Sequence, residues 1–335
     1  MSIQFSNYAS VSDYKDRITS SSQVFYANKL TLIRGAITAG LAPKAHLNIT
    51  REVLEWKIAT MLAFINTSSP FTIKNVSDLE TSEKVTVAYF IGMVFAQIQM
   101  QKMYNVRHLM HLKSDNITVT SSPGDLKNPD LWGLDYITGQ SYLVEAKGST
   151  KCSEYFSNSY VNKAEIQLNA ILQIHYNLGG HTTTYDQASF NLNKLIVATH
   201  PNINGEIMQH VIDPKNEEQK ILDINGDEMV YKHYAHLVKF INNEKAKSIE
   251  INNISGVKFK MIDLDSFNCS IGIMENIYEI LKPYTKVENL TEAILSNLHQ
   301  EVNDSLDELD KLINKIPDND KFSIGIDGII VIEKN

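Results

Sequence analysis

The sequence predicts an α/β (α+β) protein built on a mixed sheet. Apolar residues follow a helical period over 79–104, and two short apolar runs separated by a turn follow at 131–147. A second helical segment begins near 159 and leads into an apolar run at 194–200. This order of helix, strands, hairpin, helix and strand is typical of a two-layer or three-layer α/β unit.

Length, composition and charge narrow the class of protein. The chain has 335 residues, of which 43% are hydrophobic and 21% are charged, as in ordinary globular proteins. Because this length exceeds one small core, we expect a helical N-terminal region (1–76), a core (77–204) and a C-terminal α+β region (205–335). The net charge of −8 argues against nonspecific coating of nucleic acid, although a cleft can still be locally basic.

Cysteine content and apolar runs indicate a cytoplasmic protein. The two cysteines, Cys152 and Cys269, are far apart and form no CxxC pair, so neither a disulfide framework nor a zinc ribbon is expected. The first 20 residues lack the apolar segment of a signal peptide. The longest apolar run, 85–96, is shorter than the roughly 20 residues that span a bilayer, so we expect no membrane partner.

The first 75 residues are predicted to be mainly helical. Segment 51–65 places its apolar side chains on one wide face. A polar break that contains Pro70 follows it. Ser77 and Glu80 have the spacing of a capping box, which predicts the start of the 79–104 helix.

Strands are predicted where the helical period stops. Segments 106–112 and 117–120 have the composition of short strands, and 131–136 and 141–147 form a hairpin that turns at Gly139. The helix that begins near 159 is expected to end at Gly179–Gly180, before the buried strand 194–200.

The C-terminal region is predicted to be helical with a terminal strand pair that turns at Asp327–Gly328. The predicted helices are 231–241, 272–281 and 290–316. The last of these has a heptad-like apolar rhythm interrupted at Ser305, which predicts a helix packed on its own domain. A dimer-forming coiled coil is the alternative.

Two acidic residues and a lysine cluster on the predicted hairpin. Glu145 and Lys147 are two residues apart and therefore share one face of their strand. If the turn is centred on Thr138–Gly139, Asp130 faces Lys147 and lies diagonal to Glu145 on the same face. Diagonal neighbours lie roughly 7–8 Å apart, within reach of two carboxylates that share one cation.

Asp135 is the competing acid on this hairpin. It lies five residues after Asp130, so the alternation of a strand sends its side chain to the other face. It also lies beside the turn, away from Glu145. We therefore expect a turn or solvent role for Asp135 and a ligand role for Asp130.

These residue types suit phosphodiester hydrolysis. A hard cation such as Mg²⁺, or alternatively Mn²⁺, polarises the phosphoryl oxygen and activates water, and it needs only one or two carboxylates besides substrate and water. Lys147 can hold the attacking water or the developing charge, and the carbonyl of Ala146 can complete the metal shell. Gly148 would let a phosphate backbone approach, and Lys151 is a second candidate phosphate contact.

The run from Asn128 to Gly148, NPDLWGLDYITGQSYLVEAKG, resembles the signature of the PD-(D/E)XK nuclease superfamily, which has the restriction-endonuclease-like fold. The order of elements over 79–200, roughly the middle third of the chain, is similar to the αβββαβ core of that family. The resemblance implies that Asp130 and Glu145 are the metal-binding acids and that Lys147 is the catalytic lysine.

The resemblance also implies supporting residues on the two core helices. Many members place a Gln or Lys on the helix after the hairpin, and here Lys163 and Gln167 are one turn apart. Each is equally compatible with a solvated helix face. An acid from the first core helix sometimes joins the site, and Glu80 and Glu83 are both candidates.

The expected function is therefore that of a Mg²⁺-dependent nuclease, a hydrolase that acts on DNA in preference to RNA. By analogy with other nucleases of this type, its biological setting would be restriction or phage defence. Since one active site cuts one strand, a homodimer or a partner protein would be compatible with cleavage of both strands of a duplex. The alternative is a catalytically inactive nuclease-fold module that binds nucleic acid or a protein.

Overall fold

The computed structural model describes residues 2–39, 49–112, 117–119, 128–214, 220–251, 256–286, 295, 297–313 and 319–334. Eight helices lie in these ranges: α1 (Val11–Asp16), α2 (Lys29–Thr38), α3 (Arg51–Phe64), α4 (Thr81–Met103), α5 (Asn158–Asn169), α6 (Gly226–Asn243), α7 (Glu275–Leu281) and α8 (Leu298–Ile313). None of the described helices is both long and apolar enough to cross a membrane.

Two short 3-10 helices, Asp265–Phe267 and Lys282–Lys286, and eighteen strands make up the rest of the regular structure in the described ranges. Those in the first half of the described chain are β1 (Ser2–Tyr8), β2 (Ser21–Tyr26), β3 (Ile65–Asn66), β4 (Thr72–Ile73), β5 (Met110–His111), β6 (Ile117–Val119), β7 (Leu131–Leu134) and β8 (Ser141–Gly148). Those in the second half are β9 (Ile171–Leu178), β10 (His181–Asp186), β11 (Leu192–Pro201), β12 (Ile207–Ile212), β13 (Lys220–Asn225), β14 (Lys247–Glu250), β15 (Lys258–Leu264), β16 (Cys269–Met274), β17 (Phe322–Ile324) and β18 (Ile329–Glu333).

A seven-stranded sheet with the order β2-β1-β12-β11-β8-β7-β5 forms the centre of the molecule. The pairs β1–β12 and β8–β11 are parallel, and the other neighbours are antiparallel. The α/β class and the mixed sheet predicted from the sequence are therefore confirmed. Strand β8 lies between β7 and β11, so its backbone is paired along both edges.

Helices cover both faces of the central sheet. Val144 and Val197 belong to one apolar core with α2, α3 and α4. Their strand neighbours Leu143 and Ile196 point to the opposite face and pack with α1 and α5. This alternation is what a strand buried on both faces requires, and it produces three layers around β8.

Two further sheets flank the central one. A four-stranded sheet with the order β10-β9-β13-β6 closes the core under α5. A five-stranded sheet with the order β14-β15-β16-β18-β17 packs against α2, α6 and α7. The final antiparallel pair, β17–β18, confirms the predicted strand pair, with Gly328 at φ 72° in its turn.

The predicted division into three regions does not match the sheets. The central sheet takes β1 and β2 from the first region, β5, β7, β8 and β11 from the second, and β12 from the third. The prediction of a mainly helical N-terminus is also wrong at its start, where Ile3 and Phe5 alternate with exposed residues as in a strand. That strand is stabilised by β12, which lies about 200 residues further along the chain.

Several predicted element boundaries are corrected. Helix α5 ends at Asn169, and Gly179–Gly180 is instead the turn of the β9–β10 hairpin, with φ values of 55° and 78°. The segment after α5 becomes a strand because β13 pairs with it in parallel. The predicted strand 106–112 shortens to β5, β6 joins a different sheet, and Thr120 lies outside the described residues.

The predicted C-terminal helices are also adjusted by the structure. The segment predicted as 272–281 begins with β16 and is helical only in α7. Of the predicted 290–316 helix, α8 is described, and its apolar residues are buried: Leu298, Val302, Leu306 and Leu309. They pack against α6 and α7. The apolar face of α8 is therefore used inside the chain, as the first interpretation expected, and not for a coiled-coil dimer.

Candidate active site

The hairpin of β7 and β8 has a register that differs by two residues from the predicted one. Leu131 pairs with Val144 and Trp132 with Leu143, so Asp130 lies opposite Glu145 and not opposite Lys147. The turn is longer than expected. The hydrogen bond that closes it runs from the amide of Asp135 to the carbonyl of Gln140, 2.9 Å away. A shift of two residues preserves the face of every side chain, so the three candidate residues still share one face.

Asp130 is held directly against Glu145. The backbone amide of Asp130 donates to Oε2 of Glu145 at 3.0 Å. In return, the backbone amide of Ala146 donates to Oδ2 of Asp130 at 3.2 Å. These reciprocal contacts fix both carboxylates at the point where β7 begins.

Glu145 is the buried member of the pair, with 1% of its surface exposed. Burial raises the pKa of its carboxyl group to about 7, and the nearby charge of Asp130 adds to the rise, while Lys147 opposes it. A pKa this high means that ionisation of the Glu145 carboxyl group costs free energy in its buried position. A cation bound between the two acids would remove that cost.

Lys147 links the acid pair to helix α5. Its ammonium group forms an ion pair with Oε1 of Glu145. It also donates to Oε1 of Gln167, 3.2 Å away. Gln167 is thus brought to the cluster as the resemblance implied, and it fixes the end of the lysine side chain.

Lys163, the other candidate on α5, is exposed and lies over the ring of Tyr160 at 5.6 Å. The structure describes no contact between it and the acid pair. Its surroundings agree with the interpretation of a solvated helix face.

Glu80 and Glu83 form the N-terminal cap of α4. Glu80 is the N-cap residue, and its amide donates to Oε2 of Glu83 at 2.9 Å. The capping box therefore lies three residues later than the predicted one at Ser77. Both side chains satisfy helix-end amides, so the structure gives Glu83 a capping role where the sequence suggested a supporting catalytic one.

Gly148 contacts a helix and not open space. A Cβ atom at this position would lie 1.8 Å from the carbonyl oxygen of Ala88 and 2.6 Å from the amide nitrogen of Gly92. The glycine therefore permits α4 to cross the end of β8, which corrects its suggested role in phosphate approach. Lys151 is exposed in the following loop, where its amide donates to Oγ of Ser149 at 3.0 Å.

Asp135 has the turn role that was predicted for it. Its Oδ1 accepts from the amide of Ile137 at 2.8 Å and from that of Thr138 at 3.2 Å. Its Oδ2 accepts from the hydroxyl of Thr138 at 2.8 Å. Both oxygens are thus used to close the hairpin.

Tyr89 of α4 is a neighbour that sequence reasoning missed. Burial raises the pKa of its phenol, and the negative charge of Asp130 raises it further, so the two side chains lie within electrostatic reach of each other. Nothing in the local sequence connects Tyr89 with the hairpin. The only signal is the pair Gly92 and Gly148, whose close approach brings α4 against β8.

The donor set suits a hard, oxygen-preferring cation. Asp130 and Glu145 provide carboxylate oxygens, and the carbonyl of Ala146 is directed to the same edge of β8 as its amide, which contacts Asp130. Across the residues that the structure describes, no group of three or more His, Cys, Asp or Glu side chains forms a metal site. Two carboxylates and a backbone carbonyl are donors that suit an ion that keeps several water ligands, such as Mg²⁺, better than Zn²⁺.

Comparison with known proteins gives no relative for this arrangement. No protein-family model, no curated protein and no solved structure matches the chain.

Proposed function

We propose that the chain is a Mg²⁺-dependent nuclease of the PD-(D/E)XK type. The observation that carries the proposal is the cluster of Asp130, Glu145 and Lys147 at one end of β7 and β8, with Gln167 bound to the lysine. Such a cluster has two carboxylates that can bind a cation. It also has an ammonium group that can orient water or stabilise developing negative charge.

The order of elements around the cluster supports the same proposal. Helix α4 is followed by β5, β7, β8, α5 and β11, and β8 and β11 are parallel neighbours joined through α5. With β6, β9 and β10 set aside, this sequence of elements corresponds to the αβββαβ order that the resemblance implies. It departs from the simple pattern in the β9–β10 hairpin, inserted before β11, and in β6, which joins another sheet.

In the proposed mechanism, Asp130, Glu145 and the Ala146 carbonyl would hold Mg²⁺, with Mn²⁺ as a substitute. When bound, the ion would supply polarisation of the scissile phosphate and a lower pKa for an attacking water. Lys147 would leave its ion pair with Glu145 to orient that water or to neutralise the developing charge. Gln167 restricts the lysine to the side of the site that α5 covers.

DNA is proposed as the substrate in preference to RNA, on the resemblance alone. Because one site cuts one strand, cleavage of a duplex would require a second copy or a partner protein. The inactive-module alternative predicts instead that nucleic acid is bound without Mg²⁺-dependent turnover.

The test is incubation of the purified chain with supercoiled plasmid and with circular single-stranded DNA, in Mg²⁺ or in EDTA. We expect nicking or linearisation only in Mg²⁺, and none with the Glu145→Gln variant. Cleavage that continues in EDTA or in the variant would contradict the proposed site. Absence of cleavage of both substrates by the wild-type protein would favour the inactive module.

A further inference from the structure

We propose that the two exposed ends of an aromatic row beside the acid pair stack unpaired bases, so that the substrate of this site is single-stranded nucleic acid. The row consists of Tyr89, Phe90 and Trp56. The inference rests on the proposed nuclease function and goes beyond it by naming the state of the substrate.

The aromatic row runs from the acid pair across two helices. Tyr89 lies between Ala88 and Gly92 in α4, where that helix crosses the end of β8 so closely that a Cβ atom on Gly148 would be 1.8 Å from the carbonyl oxygen of Ala88. The ring centroids of Tyr89 and Phe90 are 5.9 Å apart, and those of Phe90 and Trp56 are 5.1 Å apart, both in edge-to-face geometry. The three rings therefore form one continuous contact from Tyr89 on α4 to Trp56 on α3.

The two ends of the row are open to solvent. Tyr89 is 42% exposed and Trp56 is 53% exposed, while Phe90 between them is buried. Val85, one turn before Tyr89, and Val53, one turn before Trp56, are also exposed. Single exposed apolar residues need no explanation, but a contiguous group beside a candidate active site indicates a contact surface.

The charges near the row favour bases over phosphates as the contact. Lys147 is paired with Glu145, and Arg51 of α3 is paired with Glu55 and Glu244. The net charge of the chain is −8. Because these two cations already have acidic partners, neutralisation of phosphates by them would contribute little to binding, and flat aromatic faces offer another source of affinity.

Stacking on a protein side chain requires a base that is not already stacked in a duplex. Aromatic platforms accept every base, since each base has a π-face, and they bind single strands with little sequence preference. A strand held on Tyr89 and Trp56 would place its backbone next to Asp130. The surface therefore connects substrate binding with the proposed cleavage site.

Tryptophan fluorescence can test this surface without any cleavage. The chain has two tryptophans, and Trp132 is fully buried while Trp56 is exposed, so quenching by a ligand reports on Trp56. In EDTA, we expect a short oligothymidylate to quench the wild-type signal saturably and the corresponding A·T duplex to quench it at least about tenfold more weakly. The Tyr89→Ala variant should bind the oligothymidylate about tenfold more weakly, and Tyr89→Phe should bind it like the wild type.

The control is Tyr26→Ala, because Tyr26 is 41% exposed but lies on β2, at the far edge of the central sheet. The Tyr26→Ala variant should bind the oligothymidylate as tightly as the wild type does. Equal affinity for the duplex, no quenching, or unchanged binding in Tyr89→Ala would each overturn the inference, even if Mg²⁺-dependent cleavage is observed. Quenching that follows the expected pattern without any cleavage in Mg²⁺ would instead contradict the nuclease and keep the stacking surface.

Discussion

At the scale of single residues, the proposed chemistry depends on the buried carboxyl group of Glu145. Its pKa is raised from 4.5 to about 7 by burial and by Asp130. The folded chain therefore holds this proton more tightly than the unfolded chain does. Without metal, the contribution of Glu145 to stability is favourable at low pH and is lost as the pH rises through about 7.

The first prediction concerns the Glu145→Gln variant, which removes this titration. In EDTA, the free energy of unfolding of the wild type should decrease relative to that of the variant between pH 5 and pH 8, by at most about 3 kcal/mol. Denaturant titration at a series of pH values measures the difference. Mg²⁺ should restore the free energy of unfolding of the wild type at pH 8 and leave that of the variant unchanged. Parallel pH profiles for the two proteins would contradict the role of Glu145.

The second prediction concerns the hydrogen bond between Gln167 and Lys147. Gln167→Leu removes the acceptor that is 3.2 Å from the ammonium group. A lost hydrogen bond to a charged group corresponds to a decrease in kcat of about tenfold or more, with KM little changed. Lys163→Ala, on the same helix but exposed, is the matched control and should keep wild-type kinetics. Equal effects of the two substitutions would exclude a positioning role for Gln167.

Residue-scale reasoning identified most of this cluster from the sequence because strand alternation is strict. The predicted register was wrong by two residues, yet Asp130, Glu145 and Lys147 stayed on one face, since an even shift does not change the face. Tyr89 was missed because its position depends on how closely a helix approaches a sheet. That distance has no periodic signal in the sequence.

At the scale of elements, the crossing of α4 over β8 positions the site. The backbones meet at Gly92 and Gly148, where a side chain on either residue would lie within 3 Å of the other element. The bounds of helix α4 and of the two hairpin strands were predicted closely because each has its own hydrophobic period, although the cap of α4 and the register of the hairpin were not. The end of α5 was predicted too late in the chain, because β9 becomes a strand only through its pairing with β13.

The third prediction follows from this crossing. Gly148→Ala should lower the free energy of unfolding by about 3 kcal/mol or more, since the added methyl group meets the carbonyl of Ala88. Gly139→Ala is the control, because it has φ 72° but no atom within 4 Å, and it should cost only about 1–2 kcal/mol. Urea denaturation at constant pH compares the two. A smaller effect at Gly148 than at Gly139 would show that the close contact is absent in solution.

At the scale of the whole molecule, the central sheet joins strands that are distant in sequence. Strands β1 and β12 pair in parallel across about 200 residues, and β12 continues the sheet from β11. Hydrophobic period and turn residues predict each strand locally, but the order of strands depends on which partners are available. The class and the mixed sheet were therefore predictable, whereas the boundaries of the three regions were not.

The fourth prediction is that the fragment 77–204 does not fold alone. It would lose β1, β2 and β12 and expose the edge of β11, together with the apolar residues that pack against α2 and α3. We expect no cooperative thermal transition by circular dichroism and rapid proteolysis, with the full chain as the control. A cooperative transition in the fragment would show that the predicted core is an independent domain.

The most direct test of the account compares cleavage rates of a circular single-stranded DNA in Mg²⁺ by the wild type and by Asp130→Asn, Glu145→Gln and Lys147→Met. Glu154→Gln, an exposed acid in the loop after β8, is the control. We expect each of the three substitutions to lower kcat by about a thousandfold or more while the thermal transition is retained, and the control to cleave like the wild type. Cleavage at a wild-type rate by any of the three variants would contradict the assignment of that residue, and by all three would contradict the site itself.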